Sequence, residues 1–217
     1  MKDRPAFNLK WPLVAWNATL AIFSIRGSLA VIEELVQSLA THGIYITVCA
    51  IPDPDPVSGF WILAFIVSKL FEFGDTVFVV LRKKPLIFLH YYHHAVVLIY
   101  TVHGSAERAS AGRMFIAMNY AAHSFMYTYY SVSATGHRFP RWVAKFVTTI
   151  QTAQMFAGLL INAGVYYVKT HLGWKCRQSM ADLHLSFFIY ATFAALFCQF
   201  YYRAYLAPKP KPAKLRE

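Results

Sequence analysis

Apolar positions along this chain gather into long runs separated by short polar connectors. A helix needs about 20 predominantly apolar residues to cross a bilayer core. Six runs approach that length, at residues 11–30, 60–81, 86–102, 114–133, 142–168 and 183–206, the first interrupted by Arg26 and the third short. The pattern predicts an all-α, polytopic membrane protein in one membrane-embedded domain over residues 1–217. Nothing at the N-terminus resembles a cleavable signal peptide, because Met1 to Lys10 is polar and no small-residue cleavage site follows.

Polar residues inside these runs recur at helical spacing, where i, i+3 and i+4 share a face. "FLHYYHH" places His90, His93 and His94 together; "KLFEFGDT" aligns Lys69, Glu72, Asp75 and Thr76. "NYAAHSFMYTYY" aligns Asn119, His123 and Tyr127, and "TTIQTAQ" repeats Thr148, Gln151 and Gln154. A charged group near mid-bilayer costs at least ~2.5 kcal/mol on insertion scales, so these stripes should face one another or a wet cavity. Four neighbouring spans then describe a polar-lined interior.

Composition agrees. The chain is 57% hydrophobic and 14% charged, against about 25% charged in soluble domains, and mean hydropathy is +0.39. The formal net charge of +11 raises nucleic acid as a partner. However, the basic residues cluster between apolar runs, with no basic stripe, zinc spacing or aromatic nucleic-acid motif, so no nucleic-acid partner is expected. Counted on alternate sides, thirteen Lys and Arg residues fall with both termini and five on the opposite side, which also carries the acidic "PDPDP" from Pro52 to Pro56. The positive-inside rule then puts both termini in the cytosol. The tail "APKPKPAKLRE" reads as an extended, solvated end.

Cys49 and Cys176 fall in connectors on the side away from the cytosol, where an oxidising compartment permits a disulfide. Spacing alone leaves a bridge and two unpaired thiols equally open. Cys198 lies within the last run. The sequon-like "NAT" at Asn17 lies within a run, out of reach of glycosylation.

Each stripe also has a bland reading. Gln154 suits interhelical hydrogen bonding, Tyr91, Tyr92 and Tyr130 suit packing, and Lys69 with Glu72 suits a neutralising pair. Three clustered imidazoles have no such packing advantage. One chemistry for them is metal: HxxHH occurs in membrane di-iron desaturases and hydroxylases, which draw histidines from several boxes, and no second HxxHH or HxxxH occurs here. Another is proton transfer and nucleophilic catalysis, in which neutral imidazole attacks an acyl donor while carboxylates orient it. A third uses the stripes as the path of a non-catalytic transporter or receptor.

The four motifs together resemble those of the ELO family, the very-long-chain fatty acid elongases (3-ketoacyl-CoA synthases): KxxExxDT at Lys69–Thr76, HxxHH at His90–His94, NxxxHxxMYxYY at Asn119–Tyr130 and TxxQxxQ at Thr148–Gln154. The order is that of the family, and the likeness extends through "RPAFNLKWPL" and "FYYRAYL". The resemblance implies a six-helix barrel around an acyl-chain tunnel. It also implies an endoplasmic reticulum enzyme that condenses a fatty acyl-CoA with malonyl-CoA to 3-ketoacyl-CoA, CO2 and CoA, with no permanently bound cofactor and no metal.

By the same resemblance His93 is the nucleophile that carries the acyl group, His123 assists condensation, and His90 and His94 support them, with Glu72 and Asp75 fixing tautomers. Asn119 and Tyr129 are candidates to hold the thioester region. Lys69, Arg82, Lys84, Lys145, Thr148, Gln151 and Arg203 match positions expected along the CoA path. Soluble condensing enzymes use cysteine, but Cys49 and Cys176 are expected on the wrong side and Cys198 has no adjacent base in sequence. "PLIFLHYYHH" resembles the branch that elongates saturated and monounsaturated chains. Expected partners are the lipid bilayer, the ketoacyl reductase, dehydratase and enoyl reductase of elongation, and further copies of the chain. Family members usually carry another hydrophobic segment before the first run here, and "KLRE" is an imperfect dilysine-type retrieval signal.

Overall fold

The computed structural model describes residues 5–50 and 56–208. Lys2 and Arg4, most of the "PDPDP" stretch and the tail from Lys209 lie outside the described residues. The remainder is helical: α1 (Lys10–Cys49), α2 (Pro56–Phe71), α3 (Gly74–Leu81), α4 (Phe88–Ala106), α5 (Gly112–Ala134), α6 (Arg141–Thr170) and α7 (Met180–Tyr201), which continues as a π-helical turn over Tyr202–Leu206.

These helices close a ring. Helix α1 packs on α2, α2 on α4, α4 on α7, α7 on α6, α6 on α5, and α5 along much of α1. The α1–α5 pair runs antiparallel: Val14 meets Ser131, and Arg113 pairs with Glu34 while donating to the Thr47 carbonyl at 3.1 Å. The α6–α7 pair is also antiparallel, and it is close because Gly158 carries no Cβ; one added there would enter the Tyr190 ring.

Burial departs from that of a soluble bundle, with many polar side chains among the buried residues and many large apolar ones exposed. Inward positions include Asn17, Ser24, Ser28, Lys69, Glu72, Asn119, His123, Gln154, Asn162 and Ser186, all buried. Outward positions include Ile22, Leu29, Val36, Leu63, Leu70, Leu160 and Phe188, each more than half exposed. Hydrocarbon asks for that distribution, since polar groups must be satisfied inside the protein while apolar groups meet lipid. The polar inner stripes also dilute each helix's average. Among the described residues only Met180–Leu206 is long and apolar enough, at mean hydropathy 1.6, to stand out as a span by composition alone.

Two elements depart from the apolar-run expectation. Helix α1 does not stop near residue 30 but continues to Cys49, with a kink at Gly43, whose φ of 74° suits a residue without Cβ. Lys10 to the kink spans about 50 Å at 1.5 Å per residue, well beyond the ~30 Å hydrocarbon core, so its charged second half need not be apolar. The run at 60–81 is two helices rather than one. Ser68 turns its hydroxyl onto the Phe65 carbonyl at 2.8 Å and toward Glu72 Oε1 at 3.2 Å, a side-chain alternative to regular helix bonding. The chain then breaks at Glu72–Phe73 and restarts at Gly74, against which the Trp16 indole packs; a Cβ there would lie 2.5 Å from that ring.

The end of the ring near Cys49 is fastened covalently. A Cys49–Cys176 disulfide joins α1 to the α6–α7 connector across a sequence separation of 127. The Arg177 N–H donates to the Cys49 carbonyl at 2.9 Å, and the Ser110 N–H to the Arg177 carbonyl at 3.0 Å, so the α4–α5 turn is tied to the same knot.

Candidate active site

Among the described residues, two chambers lie inside the ring. One, of about 460 Å³, opens toward the end that carries Arg82 and Lys84, and His90, His94 and His123 are among its walls. The other, of about 420 Å³, runs toward the disulfide end between α2, α4, α5, α6 and α7, with mostly apolar walls such as Phe65, Val97, Phe115 and Phe193. His93, Asn119, Gln154 and Met155 line both, so they form the throat between them.

Helix α4 sets the imidazoles. His90 and His94, one turn apart, have ring centroids 4.6 Å apart, and those of His93 and His94 are 5.6 Å apart. Phe193 and Phe197 of α7 bracket His93 at 5.0 and 6.1 Å between centroids, leaving its remaining side to the throat. His90 Nε2 meets Thr76 Oγ1 at 3.0 Å. The break between α2 and α3 lets Glu72 point inward, where Oε1 is 2.7 Å from Lys69 Nζ and 3.7 Å from His123 Nδ1. Lys69 also donates to Asn119 Oδ1 at 2.7 Å. An ammonium, a carboxylate, an amide and an imidazole are thereby joined behind the throat, nearly free of solvent.

Some expected roles are redistributed. Asp75 does not touch an imidazole: Oδ1 accepts from Trp16 Nε1 at 2.7 Å and Oδ2 from Tyr127 OH at 2.8 Å, so it ties α1, α3 and α5 together. Lys69, expected along a CoA path, lines neither chamber because Glu72 and Asn119 hold its ammonium. Tyr129 packs on Phe139 while Tyr130, one residue and about 100° further round the helix, faces the chamber. Lys145 stands 5.9 Å over the Tyr201 ring and Thr148 meets Tyr205 OH at 3.0 Å, both on the α6–α7 seam, and Arg203 is exposed on the π-helical turn. Arg82, Lys84, Asn119 and Gln151 do line the chamber with the histidines, and Gln151 donates to Met126 Sδ at 3.1 Å.

No sequence motif places Trp16 in this assembly. It stands 59 residues from the carboxylate it binds, and no local period connects them. Met155, too, reads in sequence as an ordinary apolar residue.

Polar residues from α2 to α6 thus converge on one throat between a basic mouth and an apolar pouch. Comparison with known proteins finds the ELO family, described as the GNS1/SUR4 family, matching residues 1–213. The chain belongs to the ELO family. A protein named putative fatty acid elongase 4 from Caenorhabditis elegans is 54% identical over 99% of this chain and 74% of its own length. Very long chain fatty acid elongase 6 of Drosophila melanogaster is 45% identical over 96% of this chain and 67% of its own length. Human very long chain fatty acid elongase 3 is 40% identical over 97% and 78%. An ELO protein is polytopic in the membrane, and the ring described above, polar-striped within and apolar without, is how this one meets that requirement.

Proposed function

We propose that this ELO protein catalyses the first step of fatty acid elongation, joining a long-chain acyl-CoA to malonyl-CoA with His93 as the covalent carrier. His93 supports this reading by lying where the polar chamber meets the apolar one. A thioester carbonyl at the throat would have its CoA toward Arg82 and Lys84, which suit phosphates, and its hydrocarbon in the pouch beyond.

In the first half-reaction a ring nitrogen of His93 attacks the thioester carbon. The carbon–sulfur bond breaks, CoA leaves as the thiol with the proton the imidazole gives up, and an N-acyl imidazole remains. In the second, malonyl-CoA loses CO2 and the resulting enolate carbon attacks the acyl carbon. That forms the new carbon–carbon bond and breaks the acyl–nitrogen bond, and the departing imidazole of His93 takes up one proton from solvent as 3-ketoacyl-CoA is released. His123 is positioned to donate to the enolate oxygen, backed by Glu72. The mostly apolar walls of the pouch disfavour water, which would hydrolyse the acyl imidazole.

This reading places the enzyme, a very-long-chain 3-oxoacyl-CoA synthase, in the endoplasmic reticulum membrane with its basic mouth and both termini in the cytosol. Its product passes to a ketoacyl reductase, a dehydratase and an enoyl reductase. The test incubates microsomes bearing the full chain with palmitoyl-CoA and labelled malonyl-CoA. Label should enter a 3-ketoacyl product with the wild type and fall to background with His93→Ala. Full incorporation by the variant would remove His93 from the mechanism, and none by the wild type would remove the reaction.

A further inference from the structure

The second chamber changes character at its disulfide end. Its walls are mostly apolar from the throat onward, but Arg108, Arg113 and Arg177 line it as well, with Thr101 and Ser105. Among the described residues no carboxylate is part of those walls. Arg113 is buried and already neutralised, since it pairs with Glu34 and donates to the Thr47 carbonyl at 3.1 Å. Arg108 and Arg177 are exposed, and neither forms an ion pair with a described residue. Both also line the chamber, so the chamber reaches the protein surface beside them, at the end away from Arg82 and Lys84. Backbone geometry holds the two cations in place. Arg108 ends α4 in the left-handed region, at φ 49°; its N–H donates to the Ser105 carbonyl and the Ala109 N–H to the Gly104 carbonyl. That helix-ending motif ordinarily takes glycine, so arginine stands there against the backbone's preference. Arg177 accepts from the Ser110 N–H and donates to the Cys49 carbonyl, which fixes it to the same turn and to the disulfide. Two like charges are thereby brought to one opening, with no anion of the described residues between them.

We propose that this opening binds a long-chain carboxylate, its head between Arg108 and Arg177 and its hydrocarbon tail running inward toward His93. The fork of a guanidinium matches a carboxylate through two parallel hydrogen bonds. The apolar walls beyond, among them Val97, Phe115, Ile189 and Phe193, take the tail out of water. The chamber's volume of about 420 Å³ is near the lower end of the ~300–1,000 Å³ usual for small-molecule pockets. That suits one aliphatic chain rather than the two of a phospholipid. A free fatty acid is the simplest molecule with this chemistry. It lies in the opposite sense to the acyl chain of the condensation reading, on which one consequence rests: both chains occupy one space, so the fatty acid competes with acyl-CoA. Free fatty acid then restrains elongation from the side opposite the basic mouth.

The full chain in lipid nanodiscs is first tested for binding, with no acyl-CoA present. Labelled palmitate should bind saturably and about tenfold more tightly than hexadecanol, which has the same tail without the charge. Arg108→Gln with Arg177→Gln should weaken palmitate by about tenfold and leave hexadecanol unchanged, which also reports a folded variant. Equal binding of palmitate and hexadecanol, or of palmitate by wild type and double variant, overturns the proposal. If the double variant binds neither, the single variants decide: loss of palmitate alone by either supports the site, and wild-type binding by both overturns it. Orientation is read with palmitate carrying a photoreactive group near its last carbons. Crosslinks on α4 close to His93 support the proposal; crosslinks at the α4–α5 turn put the carboxylate at Arg82 and Lys84 and overturn it. In the elongation assay, palmitate should raise the KM for palmitoyl-CoA in the wild type and far less in the double variant, whose kcat without palmitate should be unchanged. An unaltered KM in an active wild type overturns the competition. A wild type that binds palmitate as expected but elongates no acyl-CoA counts against the condensation reading alone.

Discussion

The carboxylate of Glu72 lies between two nitrogen groups, 2.7 Å from the Lys69 ammonium and 3.7 Å from His123 Nδ1. Removing one member of a buried ion pair leaves the other uncompensated, at a cost of about 3–5 kcal/mol. Glu72→Gln should therefore lower thermal stability in detergent by that order, and Glu72→Gln combined with Lys69→Met should recover part of the loss. Elongation by the double variant should stay about 10²-fold down, the scale of a lost general acid–base partner, because His123 lacks its carboxylate in either case. Full activity of the double variant would detach Glu72 from the chemistry.

Thr76 reaches His90 at 3.0 Å. Thr76→Val keeps the shape and removes the hydrogen bond, worth about 1 kcal/mol. The expected outcome is a kcat reduced about fivefold with little change in unfolding temperature, whereas Thr76→Ser should retain most of the rate.

Asp75 should behave as a structural residue. Its two charge-assisted hydrogen bonds are worth about 1.5–3 kcal/mol each, so Asp75→Asn should destabilise the fold more than either Trp16→Phe or Tyr127→Phe. Thermal unfolding of the three variants checks the ranking.

Much of this arrangement was legible before any coordinates, for a physical reason: a polar residue in an apolar run must face inward, and helical period says which others share its face. That argument brings His90, His93 and His94 together and aligns Asn119 with His123. It does not divide the work among them. Glu72 and Asp75 look equivalent in "KLFEFGDT", yet the break after α2 sends one toward His123 and the other toward Trp16. The break itself is hidden because the apolar run continues across it. Tyr129 and Tyr130 likewise differ only by a rotation about α5, which no motif encodes. The length of α1 escaped because its second half, with Glu33, Glu34 and Gln37, lacks the apolar run used to find spans.

Gly158 offers a packing test. A Cβ there enters the Tyr190 ring, and overpacking of this kind costs about 1–3 kcal/mol. Gly158→Ala should lower the unfolding temperature, and adding Tyr190→Leu should restore part of the difference. No restoration would mean that the α6–α7 approach is not what the glycine protects.

The disulfide can be counted chemically. In the denatured, unreduced chain, maleimide should label Cys198 alone, the free and exposed thiol, and reduction should release Cys49 and Cys176. Reduction of the native protein should cost about 2–5 kcal/mol of stability. Labelling of all three thiols without reductant would rule out the bridge.

The order in which the ring closes bears on how the protein is made. Helix α7 is the last of the described helices to leave the ribosome, and it packs against both α4 and α6. Until it arrives, the histidines of α4 have no wall on that side, and a nascent chain halted before Met180 presents them to lipid or to whatever insertion machinery shields them. The ring therefore closes only once α7 is in place, and a stop codon ahead of Met180 should leave a degraded polypeptide rather than a weakened enzyme.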